Sequence, residues 1–378
     1  MNTKKFTALL LSGVMAASVL AGCGGIDKDA VVATLDGQEI KLGVANFAAR
    51  LQQAQYDDFY TSYFGEDVWN SDLYGNGATM QDNLKDSVIG SIEDMYVLKN
   101  HMDDYGVALS EEDQTAIKTT AAEFMSVNTD DALEAMGATE DIVEEYLTLV
   151  TIQARMHEAI IVDADTNVSD EEANTSDYSY VVISKTSYKD ADGNNVDYTE
   201  EEKADLADTV KKFQSAATTV TLEDAADEFG YTVSTGSFAS DNTTLDADVL
   251  AALQGLTEEG QVSDVVETDS SYYVLRLDTI TDADKTEQHR QEIIGKRQSD
   301  LYSEVLQGYK DEAEWVLNEK VWETVTFDNL FTTTVESTET ETVDSTEPAA
   351  TEEQQTQTTG QTESVAETEA VDGTESVQ

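Results

Sequence analysis

The sequence predicts an α+β protein that is mostly helical, with one compact mixed segment set into it. Three observations lead there. From residue 42 to about 162, apolar residues recur at helical spacing. The segment 177–280 alternates β-rich and helical runs in the order β-α-α-β-α-β. From about residue 332 no aromatic or basic residue remains. Such a stretch cannot bury enough apolar area to offset chain entropy, so 332–378 is expected to be a disordered acidic Thr/Glu-rich tail.

Composition narrows the function classes. The 378 residues carry 78 Asp+Glu against 21 Lys+Arg, a net charge of −57. A nucleic-acid partner is excluded, because phosphate binding needs a basic face. Electrostatic docking on anionic lipid is disfavoured for the same reason. The single Cys rules out a disulfide scaffold and a Cys-rich zinc site. Three separated histidines, His101, His157 and His289, point to packing or surface roles rather than a metal site. No metal and no cofactor is expected.

The elements follow in order. Lys4 and Lys5 precede an apolar stretch, Phe6 to Leu20, too short to span a membrane comfortably. It ends in Leu20-Ala21-Gly22-Cys23, which resembles a bacterial lipobox. That resemblance implies a signal peptide over 1–22 and Cys23 as a diacylglyceryl-carrying first mature residue. Two acyl chains give a stable anchor, so the membrane is one expected partner. Val31–Leu35 and Gln38–Ile40 flank Asp36-Gly37, a hairpin signal. Helices are expected over Leu42 to about Phe64, Met80 to Tyr105, from Ser110 as N-cap, and from Ile142 to about Val162. The Tyr- and Met-rich apolar surface of this region reads equally as groove or as core.

In the mixed segment, strands are expected at Tyr178–Ile183 and Ser271–Leu277, with helices at Glu200–Ala216, Leu222–Phe229 and Asp246–Leu253. A final helix is expected over Asp284–Leu317 and a strand over Trp322–Phe327, with Trp315 and Trp322 as core anchors.

Three segments together resemble the extracytoplasmic foldase lipoproteins of the PrsA type and their SurA-type relatives. They are the lipobox followed by Val31–Ile40, the connection Tyr105-Gly106-Val107-Ala108-Leu109-Ser110-Glu111-Glu112, and the region 177–280. The resemblance implies a helical chaperone module over 23–176, a parvulin-like peptidyl-prolyl isomerase domain over 177–280, and a segment 281–331 returning to the module. The chaperone domain would then be SurA-N-like and discontinuous. The implied partners are unfolded or partly folded exported proteins. The implied place is the outer face of a Gram-positive cell membrane, and a homodimer is allowed.

Parvulins hold the prolyl ring in an apolar pocket beside a hydrogen-bonded histidine pair. Here Tyr180 and Tyr273 stand at the two histidine positions, and Thr268 matches a threonine of that network. The Gly-rich turn survives as Gly236 with Phe238; Val249, Leu250 and Leu253 match the apolar wall. The two tyrosines could hydrogen-bond each other. A weakened isomerase and a non-catalytic scaffold both follow, and the second is favoured because all three family positions depart. With Arg276 as the segment's only Arg, phosphopeptide recognition is not expected.

Asp190, Asp192, Asn194 and Glu201 fall at calcium-loop spacing, but Gly193 is misplaced for it and a solvated acidic loop is favoured. The leading function is a membrane-anchored foldase with weak or lost isomerase activity. The alternatives are an active peptidyl-prolyl isomerase, or a surface ligand-binding lipoprotein.

Overall fold

The computed structural model describes residues 14–17, 26–189 and 193–334. Cys23, Asp190, Asp192 and residues 335–378 lie outside the described residues. Strand β1 (Val14–Ala17), inside the expected signal peptide, pairs with Phe331–Thr334. Asp36 and Gly37 both take positive φ, 52° and 79°. This is the turn geometry that Asp-Gly favours, and it joins β2 (Val31–Leu35) to β3 (Gln38–Lys41).

Four long or medium helices follow, with one short helix among them. They are α1 (Leu42–Phe64), α2 (Met80–Asn100), α3 (Glu111–Val127), α4 (Asp130–Met136) and α5 (Glu140–Ile160). Their starts are written in sequence. Thr79 with Asp82 and Ser110 with Asp113 form reciprocal capping boxes, and Thr129 and Thr139 cap α4 and α5. Each such cap is worth about 1 kcal/mol. Helix α2 stops at Asn100 rather than Tyr105; a separate 3-10 turn, Met102–Tyr105, completes the stretch.

After the short α6 (Asp170–Ala173) come β4 (Thr175–Ser184) and a small hairpin of β5 (Ser187–Lys189) and β6 (Asn195–Asp197). Then follow α7 (Glu200–Ala217), α8 (Leu222–Phe229), β7 (Ser234–Ala239), α9 (Ala247–Gln254), β8 (Val266–Glu267) and β9 (Ser271–Thr279). The four-stranded sheet has the order β7-β4-β9-β8 and is antiparallel throughout. Period-two alternation sends Val181, Ile183 and Val274 to α7 and α8 on one face. Tyr178, Leu275 and Leu277 go to α9 on the other.

The C-terminal portion is α10 (Ala283–Glu312), β10 (Trp315–Leu317), α11 (Glu319–Trp322) and β11 (Phe331–Thr334). Two expectations fail here. The final helix ends at Glu312, because Trp315–Leu317 pairs with Leu35–Ala33 of β2 and completes a three-stranded sheet. Trp322–Phe327 is not a strand, because side chains from far away take its backbone carbonyls. Lys85 donates to the Val325 carbonyl at 2.8 Å, and Arg50 donates to Thr326 at 2.7 Å and Asn329 at 3.1 Å.

Arg50 and Asp57 form the anchor of this return. Both are buried on α1. Arg50 also donates to the Ala135 carbonyl and lies over the Phe331 ring at 4.9 Å. Asp57 accepts from the Trp69 indole at 2.5 Å and the Phe331 amide at 2.7 Å. Burial pushes the Arg50 pKa down to about 10 and raises that of Asp57. Helix α10 packs Leu301, Tyr302, Val305 and Leu306 against Leu98 of α2 and Ile152, Met156 and Ile160 of α5. His101 stacks on Tyr309 and His157 meets Tyr302 edge-on, so both serve packing.

Candidate functional site: the tyrosine face of the mixed sheet

The register of β4 against β9 decides what meets on this face. Tyr180 pairs with Leu275 and Val182 with Tyr273. Tyr180 and Tyr273 are therefore diagonal neighbours on one side of the sheet. Their ring centroids lie 6.4 Å apart at 34°. They meet through rings: among the described residues no hydrogen bond joins their hydroxyls, because side chains standing side by side on a sheet point the same way.

Tyr178 extends the row, with its ring 5.4 Å from that of Tyr180. Sequence reasoning passed it over. The i, i+2 spacing of Tyr178 and Tyr180 on a strand was the available signal. Tyr178 is 5% exposed and sits over Gly236, its register partner on β7. A Cβ at position 236 would lie 2.8 Å from Cε1, Cζ and Oη of Tyr178. Gly236 thus makes room for a ring of the protein itself. Phe238 meets Tyr178 edge-to-face at 5.8 Å.

Helix α9 closes the face. Val249 and Leu253 are buried against Leu275 and Leu277, and Leu250 is partly buried beside them. The residues matched to the apolar wall do come together, and they bury one another. Thr268 stands apart. Its hydroxyl donates to the Ser271 carbonyl at 3.1 Å and accepts from the Ser271 amide at 3.2 Å, closing the β8–β9 turn. Lys185, Asp246, Asp248, Glu267 and Asp269 line an open polar depression around it. Lys185 is neutralised by Glu267 at 2.7 Å.

Burial, and after it the neighbouring Tyr180 and Tyr273, raise the pKa of Tyr178. Its phenol stays protonated at neutral pH. No histidine lies between His157 and His289. The face can therefore offer aromatic and aliphatic surface and phenol O–H groups, but no imidazole.

Arg276 lies on the opposite side of the sheet. It holds Glu223 of α8 through two bonds of 2.6 and 2.8 Å, and Asp278 at 2.6 Å. Those contacts raise its pKa, led by the bond to Glu223. It is not available to a phosphate at the tyrosine face.

Residues 184–288 match the family model of the PPIC-type PPIASE domain. The match covers less than a third of the chain, so it describes this segment as similar to that family. The isomerase match takes in Gly236, Phe238, Val249, Leu250, Leu253, Thr268 and Tyr273, and it begins after Tyr180. It also runs past residue 280 into α10.

Among solved structures, the chain is similar to the foldase protein PrsA from Lactococcus lactis, at 14% identity. That alignment covers 79% of this chain and 99% of that one, with a TM-score of 0.32. It is also similar to PrsA from Streptococcus pneumoniae, at 17% identity, over 66% and 96% of the two chains, with a TM-score of 0.25. Peptidylprolyl isomerase PrsA from Bacillus anthracis aligns at 17% identity over 59% and 96%, with a TM-score of 0.27. No curated protein matches the chain.

Proposed function

We propose that this protein is a membrane-anchored extracytoplasmic foldase. It binds unfolded exported chains, and its isomerase domain retains weak catalysis or none. The observation that carries the reading is the PPIC-type match over 184–288, with Tyr180 and Tyr273 as ring neighbours at the positions that the resemblance to parvulins assigns to histidines. The lipobox ending at Cys23 supports the anchor, and the Asp36-Gly37 hairpin and the Gly106–Ser110 connection support the foldase assignment.

Prolyl isomerisation must lower an amide rotation barrier of about 18–20 kcal/mol. The catalyst does this by holding the ring and favouring the twisted amide over the planar one. Phe238, Val249 and Leu253 are buried at 7%, 3% and 0% exposure and filled by Tyr178 and Leu275. A prolyl ring would have to displace that packing. The phenols of Tyr180 and Tyr273 could still donate to a twisted amide, which is why weak catalysis stays within the proposal.

Prolyl isomerisation by the full chain on a panel of Xaa-Pro peptides tests this. Rates near the spontaneous one fit the proposal. Strong catalysis that Tyr273→Ala abolishes would make the protein an active isomerase instead.

A further inference from the structure

The last turns of α1 and the loop after it carry an exposed aromatic face. Tyr56, Phe59, Tyr63 and Phe64 recur at helical spacing, Tyr74 reaches Tyr60 from the loop after the helix, and exposed Leu73 precedes it in sequence. Phe59 is 56% exposed, Tyr63 72%, Phe64 54% and Tyr74 65%. Single exposed apolar residues are ordinary, but a contiguous patch marks an interaction surface.

The patch is held in place. Tyr60 contacts Tyr56, Phe59 and Phe64, and packs edge-on against buried Trp69 at 5.6 Å. Trp69 is fixed in turn by Asp57. Rings ordered before binding lose little freedom on binding.

Its rim has one sign of charge. Between Arg50 and Lys85 the chain has no basic residue. Asp58, Glu66, Asp67 and Asp72, interleaved in sequence with the rings, are all exposed.

We propose that this face docks a cationic, apolar segment of an unfolded polypeptide. Apolar side chains would lie on Phe59, Phe64 and Leu73. Lys or Arg would lie over the tyrosine rings and against the acidic rim, where cation–π and ionic attraction act together. The same charge argues against other occupants. A second copy docked by its own patch would set acid against acid. An anionic membrane would be repelled. The chain's own tail, 335–378, carries no basic residue. The proposal rests on the foldase reading for the source of such segments.

The test uses the full chain and a short fluorescein-labelled peptide alternating Lys with Leu and Phe. A second peptide carries Glu in place of Lys. Anisotropy is expected to show the Lys peptide binding at least about tenfold more tightly than the Glu peptide, and more weakly in added salt. Phe59→Ser/Tyr63→Ser/Tyr74→Ser is expected to weaken it by at least about tenfold, as loss of aromatic anchors does. Tyr63→Ser alone, at a highly exposed position, gives a smaller loss with the urea midpoint unchanged.

Absent binding of the Lys peptide, equal binding of the two peptides, or equal binding by the triple variant would overturn the proposal. So would face-dependent self-association in sedimentation, or face-dependent binding to phosphatidylglycerol vesicles. The same proteins are assayed for suppression of client aggregation. Suppression that survives the triple variant while peptide binding is lost removes the face as a client site and leaves the foldase reading. Face-dependent peptide binding without any suppression in the wild type removes the foldase reading and leaves the docking face.

Discussion

Tyr178 occupies the space that a side chain at Gly236 would need, with three of its ring-end atoms 2.8 Å from a Cβ built there. The glycine and the tyrosine are one packing unit across β4 and β7. Gly236→Ala is expected to cost about 1–3 kcal/mol by overpacking. Gly236→Ala combined with Tyr178→Ala is expected to cost less than the sum of the two, because the second change removes the ring that the first one meets. Urea denaturation of the four proteins checks this; simple additivity would contradict it.

Arg50 and Asp57 tie the returning C-terminal segment to α1. Arg50→Ala removes the positive charge beside buried Asp57 and the side-chain donor to the Thr326 carbonyl, while the Asn329 carbonyl keeps its bond from Gln53. A loss of about 3–5 kcal/mol is expected, as for other broken buried charge clusters. Ending the chain after Glu312 should be worse, since it also removes β10 from the edge of β2. Urea midpoints of both variants are the measurement; near-wild-type stability of the truncated chain would contradict the arrangement.

The pair Asp113–Arg155 joins α3 to α5 at 2.6 Å. The Arg155 hydrogen bond, aided by Ser110, holds the Asp113 pKa below its ordinary value, against the effect of burial. The folded state then binds fewer protons than the unfolded state near that value. The pair's contribution is present above the unfolded pKa of about 3.9 and lost as pH falls through the lower folded one. Asp113→Asn should therefore be less stable than wild type at neutral pH. The gap should close on acidification below about pH 4. A gap constant with pH, read from urea midpoints, would contradict the assignment.

Arg276 is engaged by Glu223 and Asp278 on the far side of the sheet. Peptides with phosphoserine before Pro are expected to bind no better than those with Ser or Glu there. A tenfold or greater preference for phosphate, of about 1.4 kcal/mol or more in titration calorimetry, would contradict this placement.

Much of the fold was legible because its signals are local. The Asp36-Gly37 turn, the Ser110 cap and the span of α8 all follow from a few adjacent residues. The segment after Glu312 was misread because its structure is set from a distance. Trp315-Val316-Leu317 fits a helix or a strand equally until β2 stands beside it. The carbonyls of 325–329 are satisfied by Lys85 and Arg50, which no local pattern reveals. At the site, Tyr180 and Tyr273 were found by alignment to a family pattern. Tyr178 was missed because its role depends on what lies opposite it on β7. The exposed rings of α1 were equally hidden: helical spacing of aromatics reads the same whether the face is covered or bare.

The central claim separates client binding from isomerase catalysis, and one refolding trace reads both. An aggregation-prone client with a slow prolyl-limited phase is refolded with and without the full chain. The account expects a higher yield of soluble client with the slow phase barely accelerated. A slow phase accelerated manyfold and restored by Tyr273→Ala, or a yield that does not change, would contradict it.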